Sequence, residues 1–581
     1  MSQRRRGIFF RQISLFIALA VMAAPIRAAA PRFGVRAIWV DPGGFETEQA
    51  ADKTIAKCVR AGINVILPNV LYSQTVWFKS PHFKGRSAAD GAADPLAYLS
   101  IKAHAAKIAV EPWCCVYYEG GSQSAHPGWL NQSFDGRNFD RNFLSPANPE
   151  ANPYLLAVIK DLLAYDIDGI HLDYIRYPCT AFDYSPATRT AFQAAWGFDP
   201  QNFLDHPERI VPADKETYPI RVLHARKQIE RVWETTDIER TLDEAGIGFA
   251  FISETPENVA ALRAPGLFIL SRYDAVTEPM CLAIQDYVGR GGDVLWSDAP
   301  AGALKQFPAL AKLAGVSGGK WFASRRISLQ PAGKSALGEQ VAANPFFASG
   351  DAATQLDGAT LVARFDTGEP AVTFNSRGKG GVMMLGFDAM GGKAGRTIPL
   401  MQSIVNWFKS RADVTGADLL AQKRADWIQW RGDQVTQLVR AISEAAKTRN
   451  PRLAVTSSGG PGAWEFYGCY RDARRWLAEG INDGVFPMNY TPDPAEFADL
   501  LQAQADSAPA GKFNLIYPGV QIYYNRVVSG RKSIGPIDAK ILERELGIVQ
   551  QQGYQGFCLF ADDYLSDEII EVVHRFSSRT K

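Results

Sequence analysis

Residues 154–178 read Y-L-L-A-V-I-K-D-L-L-A-Y-D-I-D-G-I-H-L-D-Y-I-R-Y-P. Leu155, Ile159 and Leu162 recur at helical spacing as far as Tyr165, and from Gly169 the pattern changes to strict alternation. A helix feeding a buried strand is the repeating unit of parallel α/β folds. Successive side chains of a strand point to opposite faces, so Ile170 and Leu172 share one side while His171 and Asp173 share the other. In a barrel the apolar pair would pack under the helices and the polar pair would point inward. Asp173 would then stand at the C-terminal end of its strand, where barrel enzymes assemble their active sites.

Working outward, strand-like runs occupy Arg36–Asp41, Asn64–Asn69, Ile108–Trp113 and Gly169–Tyr174, then Arg452–Ser457, Gly484–Asn489, Asn514–Val520 and Gly556–Ala561. Four before residue 200 and four after residue 425 predict an α/β fold, a (β/α)8 TIM-type barrel interrupted after strand four. The interruption has its own strands, Gly246–Ser253, Leu267–Ser271, Asp293–Ser297 and Gly381–Phe387, and helices at Pro279–Gly289 and Thr397–Lys409. A segment with its own sheet and helices is a domain rather than a loop. Its stretch L-F-I-L-S-R-Y-D-A-V-T-E-P-M-C-L-A-I-Q-D-Y-V-G-R-G-G-D-V-L-W, residues 267–296, resembles the flavodoxin-like fold of class I glutamine amidotransferase-like domains, in particular the β-galactosidase trimerisation domain. Cys281 falls inside a helical pattern instead of a glycine-flanked elbow, which argues against amidotransferase chemistry. The expected divisions are a signal peptide at 1–30, the first half of the barrel at 31–213, the inserted domain at 214–411 and the second half of the barrel at 412–581.

The 581 residues hold 62 Lys and Arg against 61 Asp and Glu, with no basic stripe, so electrostatics give no reason to expect a nucleic-acid partner. Arg4, Arg5 and Arg6 precede an apolar run from Ile13 to Ala24, and Ala28-Ala29-Ala30 offers a cleavage site. The run is too short to span a bilayer, which takes roughly 20 residues, so the expectation is an exported protein, periplasmic or secreted, with no membrane span after cleavage. The Sec and twin-arginine routes both stay open. Losing residues 1–30, with five arginines and no acid, takes the formal charge from +1 to −4. Seven irregularly spaced cysteines suggest buried thiols rather than a disulfide framework, and no Cys-x-x-Cys or histidine cluster suggests a metal or other cofactor.

Asp173 is the centre of the expected chemistry. Arg176 and Tyr177 follow it, and a cation beside a carboxylate favours the ionised form, as a glycosidase nucleophile or oxocarbenium stabiliser requires. The competing reading is a structural Asp–Arg pair closing the barrel top, and His171 alone reads more readily as a packed histidine than as an acid–base group. Aromatic residues gather at the predicted strand ends: Trp39, Trp113, Tyr117, Tyr118, Tyr174, Tyr177, Tyr490, Tyr523, Tyr524 and Tyr564. Such planes stack on the C–H faces of sugars, and Asn489 adds an amide for sugar hydroxyls.

G-V-R-A-I-W-V from Gly34, A-G-I-N-V-I-L-P from Ala61, D-P-L-A from Asp94, H-L-D-Y-I-R-Y-P from His171, W-I-Q-W-R from Trp427 and P-M-N-Y from Pro487 occur in that order. Together they resemble the glycosyl-hydrolase-like family 10, exported bacterial proteins with a barrel distantly similar to the α-amylase clan. The resemblance implies hydrolysis of glycosidic bonds, with peptidoglycan glycan strands among the substrates, and it places Asp173 at the clan's nucleophile position. Family members run almost directly from the Gly197–Pro200 segment to the Trp427 segment, so the inserted domain is a departure. The clan also asks for an acid after strand five, but Ser457–Glu465 has no glutamate at the strand end.

The identity of the acid therefore stays open. Glu111 is preferred because it ends strand three, beside strand four, with Trp113 next on the same face; Asp562 and Asp472 are rivals, with Glu465 and Asp563 near them. His171, Arg176, Tyr177, Tyr174, Trp39, Trp113, Tyr118, Asn489 and Tyr490 are expected to bind substrate. The functional expectation is an exported glycoside hydrolase acting on a bacterial polysaccharide by paired carboxylates. The alternative is a glycan-binding protein whose site has lost its acid. The inserted domain either covers the cleft or builds a homo-oligomer, and the trimerisation analogy favours the oligomer.

Overall fold

A computed structural model describes residues 33–578, apart from 90–92, 124, 139–141, 225–231, 272–275, 298–301, 335, 342–344, 392–395, 529 and 530. The expected signal peptide lies outside the described residues.

The eight barrel strands are Val35–Val40, Val65–Tyr72, a broken third strand of Ala109–Val110 and Trp113–Cys115, Gly169–Asp173, Ala454–Ser458, Gly484–Phe486, Gly519–Gln521 and Gly556–Phe560. They are parallel and neighbour each other in chain order, and strand eight returns to strand one through Ala37 opposite Cys558. Bridges Val485–Ile516 and Met488–Gly519 join strands six and seven and complete the ring. The alternation read around Gly169 decides the layers. Ile170 and Leu172 belong to the large core between strands and helices, whereas Ala37, Trp39, Leu67, Trp113, Cys115, Phe486 and Cys558 form a second core inside the ring. The helix before strand four spans Ala151–Leu162 and buries Leu155, Val158, Ile159 and Leu162, with Pro153 in its first turn, where a missing N–H costs nothing.

Strand three corrects one expectation. It does not stop at Glu111 but breaks at Pro112, which has no N–H to give to a ladder, and resumes at Trp113. Strand six is three residues long, so Asn489 and Tyr490 lie on the loop that follows it.

Between strands four and five the chain builds a second sheet. Its parallel members run Ala250–Ser253, Ile220–His224, Leu267–Ser271, Asp293–Ser297 and Gly380–Leu385 across the sheet, the 2-1-3-4-5 order of flavodoxin-like winding. Antiparallel strands Pro370–Arg377, Thr360–Phe365 and Leu329–Pro331 extend one edge. A long ribbon pairs Val316–Ile327 with Phe346–Leu356. Ile220–His224 and this antiparallel part were not among the expected strands. Apolar clusters on both faces give this sheet cores of its own.

The second sheet is fastened to the barrel by a buried charge cluster. Arg424, on helix Leu419–Arg449, donates to both carboxylate oxygens of Asp243, at 2.6 and 2.7 Å, and to Glu239 at 2.8 Å. Its guanidinium also lies 3.7 Å from the ring centroid of Phe249. Asp243 and Glu239 come from helix Val232–Glu244, which packs against helix Ala463–Cys469 beyond strand five. The seven cysteines are free thiols, six of them buried and Cys469 half-buried. Among the described residues no helix is long and apolar enough to cross a membrane.

Candidate active site

Asp173 ends strand four with only 6% of its surface exposed. Three donors converge on its carboxylate. Oδ1 accepts from the Ser458 hydroxyl and from the Tyr174 backbone N–H at 2.7 Å, and Oδ2 accepts from the Trp113 indole N–H at 3.2 Å. Tyr174 sits in the left-handed region, φ 46°, where the chain turns out of the strand. Ser458 ends strand five and in turn accepts from Arg471 Nη1 at 3.2 Å. Arg471 is buried and pairs with Glu465 at 2.5 Å.

The cation coupled to Asp173 is thus Arg471, acting through Ser458. Arg176, expected in that role, donates Nη1 to the carbonyls of Tyr177 and Pro178 at 2.9 and 2.8 Å and lies over the Tyr174 ring at 5.0 Å. It borders the cleft without pairing with Asp173.

One layer below, Trp39 donates its indole N–H to Nε2 of His171 at 3.2 Å. An indole nitrogen can only donate, so Nε2 carries no proton and the hydrogen sits on Nδ1. Nδ1–H meets Thr456 Oγ1 at 3.0 Å, and the Thr456 hydroxyl donates to Glu111 Oε2 at 2.8 Å. Burial holds the His171 imidazole down to about 4 and pushes the Glu111 carboxyl up to about 7, against the Thr456 hydrogen bond and with help from Asp168 and Asp483. His171 is fully buried beneath Trp39, and Glu111 stands one strand layer deeper, inside the barrel. Glu111 is therefore not placed opposite Asp173, because two more inward positions separate it from the strand end.

The other acid candidates also face elsewhere. Asp562, in a 3-10 turn after strand eight, accepts the Asp41 backbone N–H at 2.9 Å and braces the loop after strand one. Burial pushes its carboxyl up to about 7, against the hydrogen bond from the Asp41 N–H and with help from the Asp563 and Asp41 charges. Asp472 caps helix Ala473–Glu479, accepting from Arg475 N–H at 3.1 Å.

Above the barrel strands lies a cleft of about 370 Å³. Trp39, Trp113, Asp173, Tyr174, Arg176 and Tyr490 line it, as expected from the sequence, and Tyr490 is stacked on Phe560 at 5.4 Å. Tyr118 backs the wall, 5.0 Å from Tyr174 and 5.5 Å from Tyr72. Tyr177 is buried against Tyr470 instead, and the Asn489 amide donates to its neighbour Pro487 O at 3.1 Å. Neither borders the cleft.

Asp41, Pro42, Asn69, Tyr72, Met488 and Phe560 complete the lining and were not singled out from the sequence. For Asp41 a signal existed: it follows Trp39 by two positions and, with extended backbone just past strand one, keeps to the same face. Burial, and then the nearby Asp563 charge, raise the Asp41 carboxyl above its ordinary value.

A closed parallel barrel with a carboxylate and aromatic planes at its C-terminal mouth has the architecture of a glycoside hydrolase. The chain matches the model of the glycosyl hydrolase-like 10 family over residues 34–209 and 408–524, and it belongs to that family. Its class is accordingly glycoside hydrolase. No curated protein matches it. Among solved structures it is similar to the catalytic domain of β-amylase from Paenibacillus polymyxa, with 10% identity over 94% of this chain and 98% of that one, TM-score 0.40. It is also similar to α-L-fucosidase isoenzyme 2 from Paenibacillus thiaminolyticus, with 11% identity over 65% and 84% of the two chains, TM-score 0.25. A third is exo-β-1,4-mannosidase Op5Man5 from Opitutaceae bacterium strain TAV5, with 11% identity over 68% and 99%, TM-score 0.26.

Proposed function

We propose that this glycoside hydrolase is exported and cleaves a bacterial polysaccharide, with peptidoglycan glycan strands the first substrate to test, and that Asp173 acts at the anomeric centre. The observation that carries the reading is the convergence of three donors on one carboxylate beside an aromatic cleft. The three donors fix the carboxylate's orientation at the strand end, where it can attack or stabilise an oxocarbenium-like centre. Trp39, Trp113, Tyr72, Tyr174 and Tyr490 offer planes for sugar rings, and Asn69 offers an amide. The N-terminal Arg4–Arg6 and Ile13–Ala24 pattern supports export.

Asp173→Asn tests the reading. Hydrolysis of purified glycan strands should fall by roughly a thousandfold while affinity for them stays within a few-fold. Binding without hydrolysis by the wild type would instead favour the glycan-binding alternative. We read residues 214–411 as a guest domain, and light scattering on the full chain distinguishes an oligomer-forming guest from one that only flanks the cleft.

A further inference from the structure

We propose that Asp41 is the proton donor of the reaction, delivering its carboxyl hydrogen to the leaving-group oxygen across the cleft from Asp173. The proposal rests on the glycosidase reading and supplies the acid it lacks. Asp41 immediately follows strand one and Asp173 ends strand four, and they are the two carboxylates in the cleft lining. Both carboxyls line the same cleft together with Tyr490 and Trp39.

Their surroundings differ in the sense that a working pair requires. Asp173 receives three hydrogen bonds, which suit an anion. The Asp41 carboxylate accepts none from the described residues. Its backbone N–H is held by Asp562, and the Asp562 carboxylate braces the loop from behind. Asp41 is thus desolvated, beside the acid Asp563, and free of donors, all of which favour the protonated carboxyl. One carboxyl bound by three donors, facing another without any across a shared cleft, is the arrangement an acid and its partner carboxylate require. Neither Glu111, Asp562 nor Asp472 shares this arrangement, because each is committed to an internal contact and absent from the lining.

The step balances without a further reactant. The glycosidic C–O bond breaks with its electron pair remaining on the leaving oxygen, which takes the Asp41 proton. Water supplies hydroxyl to the anomeric carbon, and its remaining proton restores the protonation of the pair through the site or solvent.

The test compares Asp41→Asn with Asp173→Asn on two substrates, purified glycan strands and the 2,4-dinitrophenyl glycoside of N-acetylglucosamine. A dinitrophenolate leaves without protonation. Asp41→Asn should therefore lose about a hundredfold or more on glycan strands yet stay within about tenfold of wild type on the aryl glycoside, and it should lose the alkaline limb of the pH profile. Asp173→Asn should lose activity on both. Equal loss on both substrates by Asp41→Asn, with glycan binding intact, or wild-type activity on glycan strands, would overturn the role of Asp41 alone. Wild-type protein that hydrolyses neither substrate would overturn the glycosidase reading and the Asp41 role with it. Unaltered thermal unfolding and glycan affinity of Asp41→Asn guard against misfolding as the cause.

Discussion

Trp39, on the floor of the cleft, is held by His171 beneath it through an indole N–H to Nε2 hydrogen bond of 3.2 Å. The imidazole is a spacer with a fixed tautomer, since Thr456 takes its other hydrogen. Replacing His171 with Phe keeps the volume but strands the Trp39 N–H, at about 1–3 kcal/mol, while the Thr456 hydroxyl keeps its bond to Glu111. KM for glycan should rise several-fold more than kcat falls. Because burial holds His171 down to about 4, the wild-type and variant pH profiles should show the same limbs between pH 5 and 8. A limb near pH 6–7 that vanishes in the variant would contradict this and identify a titrating histidine.

Glu111→Gln and Asp562→Asn separate interior acids from the catalytic pair. Both replacements retain an oxygen that can accept from Thr456 or from the Asp41 N–H. Activity on glycan should stay within about tenfold of wild type in each, well short of the 10²–10⁴ expected for removing a general acid. A collapse in either, measured as kcat with the fold intact, would move the acid to that residue.

Glu545 offers a stability test remote from the cleft. It is buried on helix Ala539–Gln551, its Oε1 without a partner among the described residues, and burial alone pushes its carboxyl up to about 8. Its ordinary value is near 4.5, so the folded state holds the proton more tightly than the unfolded chain between about pH 4.5 and 8. Stability is unaffected by this group below that window, falls as pH rises through it, and the penalty is complete above it. Glu545→Gln should match wild type in thermal unfolding at pH 4.5 and exceed it increasingly toward pH 8.5, by a few kcal/mol at roughly 1.4 kcal/mol per pKa unit. A pH-independent difference would show that Glu545 does not titrate in that range.

Arg424 joins guest to host, and removing it strands two buried carboxylates. Arg424→Met should cost about 3–5 kcal/mol, with calorimetry showing an earlier transition for the guest or a split peak. Adding Glu239→Leu and Asp243→Leu should recover much of the loss, because a well-packed apolar cluster can replace a buried ion cluster. An Arg424→Met protein that unfolds like wild type would mean that packing between the helices alone holds the two bodies together.

The fold was legible where one periodicity covered a whole element. Gly169–Asp173 alternates without interruption, so the inward position of His171 and Asp173 followed from the sequence alone. The expected strand Ile108–Trp113 stops two residues short of its observed end at Cys115, and treating Glu111 as its last inward residue puts that carboxyl too near the mouth. Asp472 and Asp562 lie on loops, where side-chain direction has no period to read. Arg176 was paired with Asp173 because the two are neighbours in sequence, yet backbone carbonyls of its own loop capture it. Arg471, between the two helices after strand five, and Asp41, just past strand one, reach the site from segments distant in sequence, and only the closed ring brings them there. Strand Val316–Ile327 of the long ribbon is buried only at its two ends, so it carries little hydrophobic signal.

The placement of the guest also shapes how the barrel can form. Strands four and five are neighbours, yet His171 and its partner Thr456 are 285 residues apart. Closing so long a flexible loop would cost of the order of 5 kcal/mol in chain entropy before any contact between those strands repaid it. A second sheet that has already folded, with its ends side by side at Lys215 and Lys409, presents the two strands to each other as if joined by a short rigid link. Assembly of the host is thereby made conditional on the guest. A substitution deep in the second sheet, far from any sugar, should slow recovery of hydrolysis after dilution from denaturant without altering the activity finally reached.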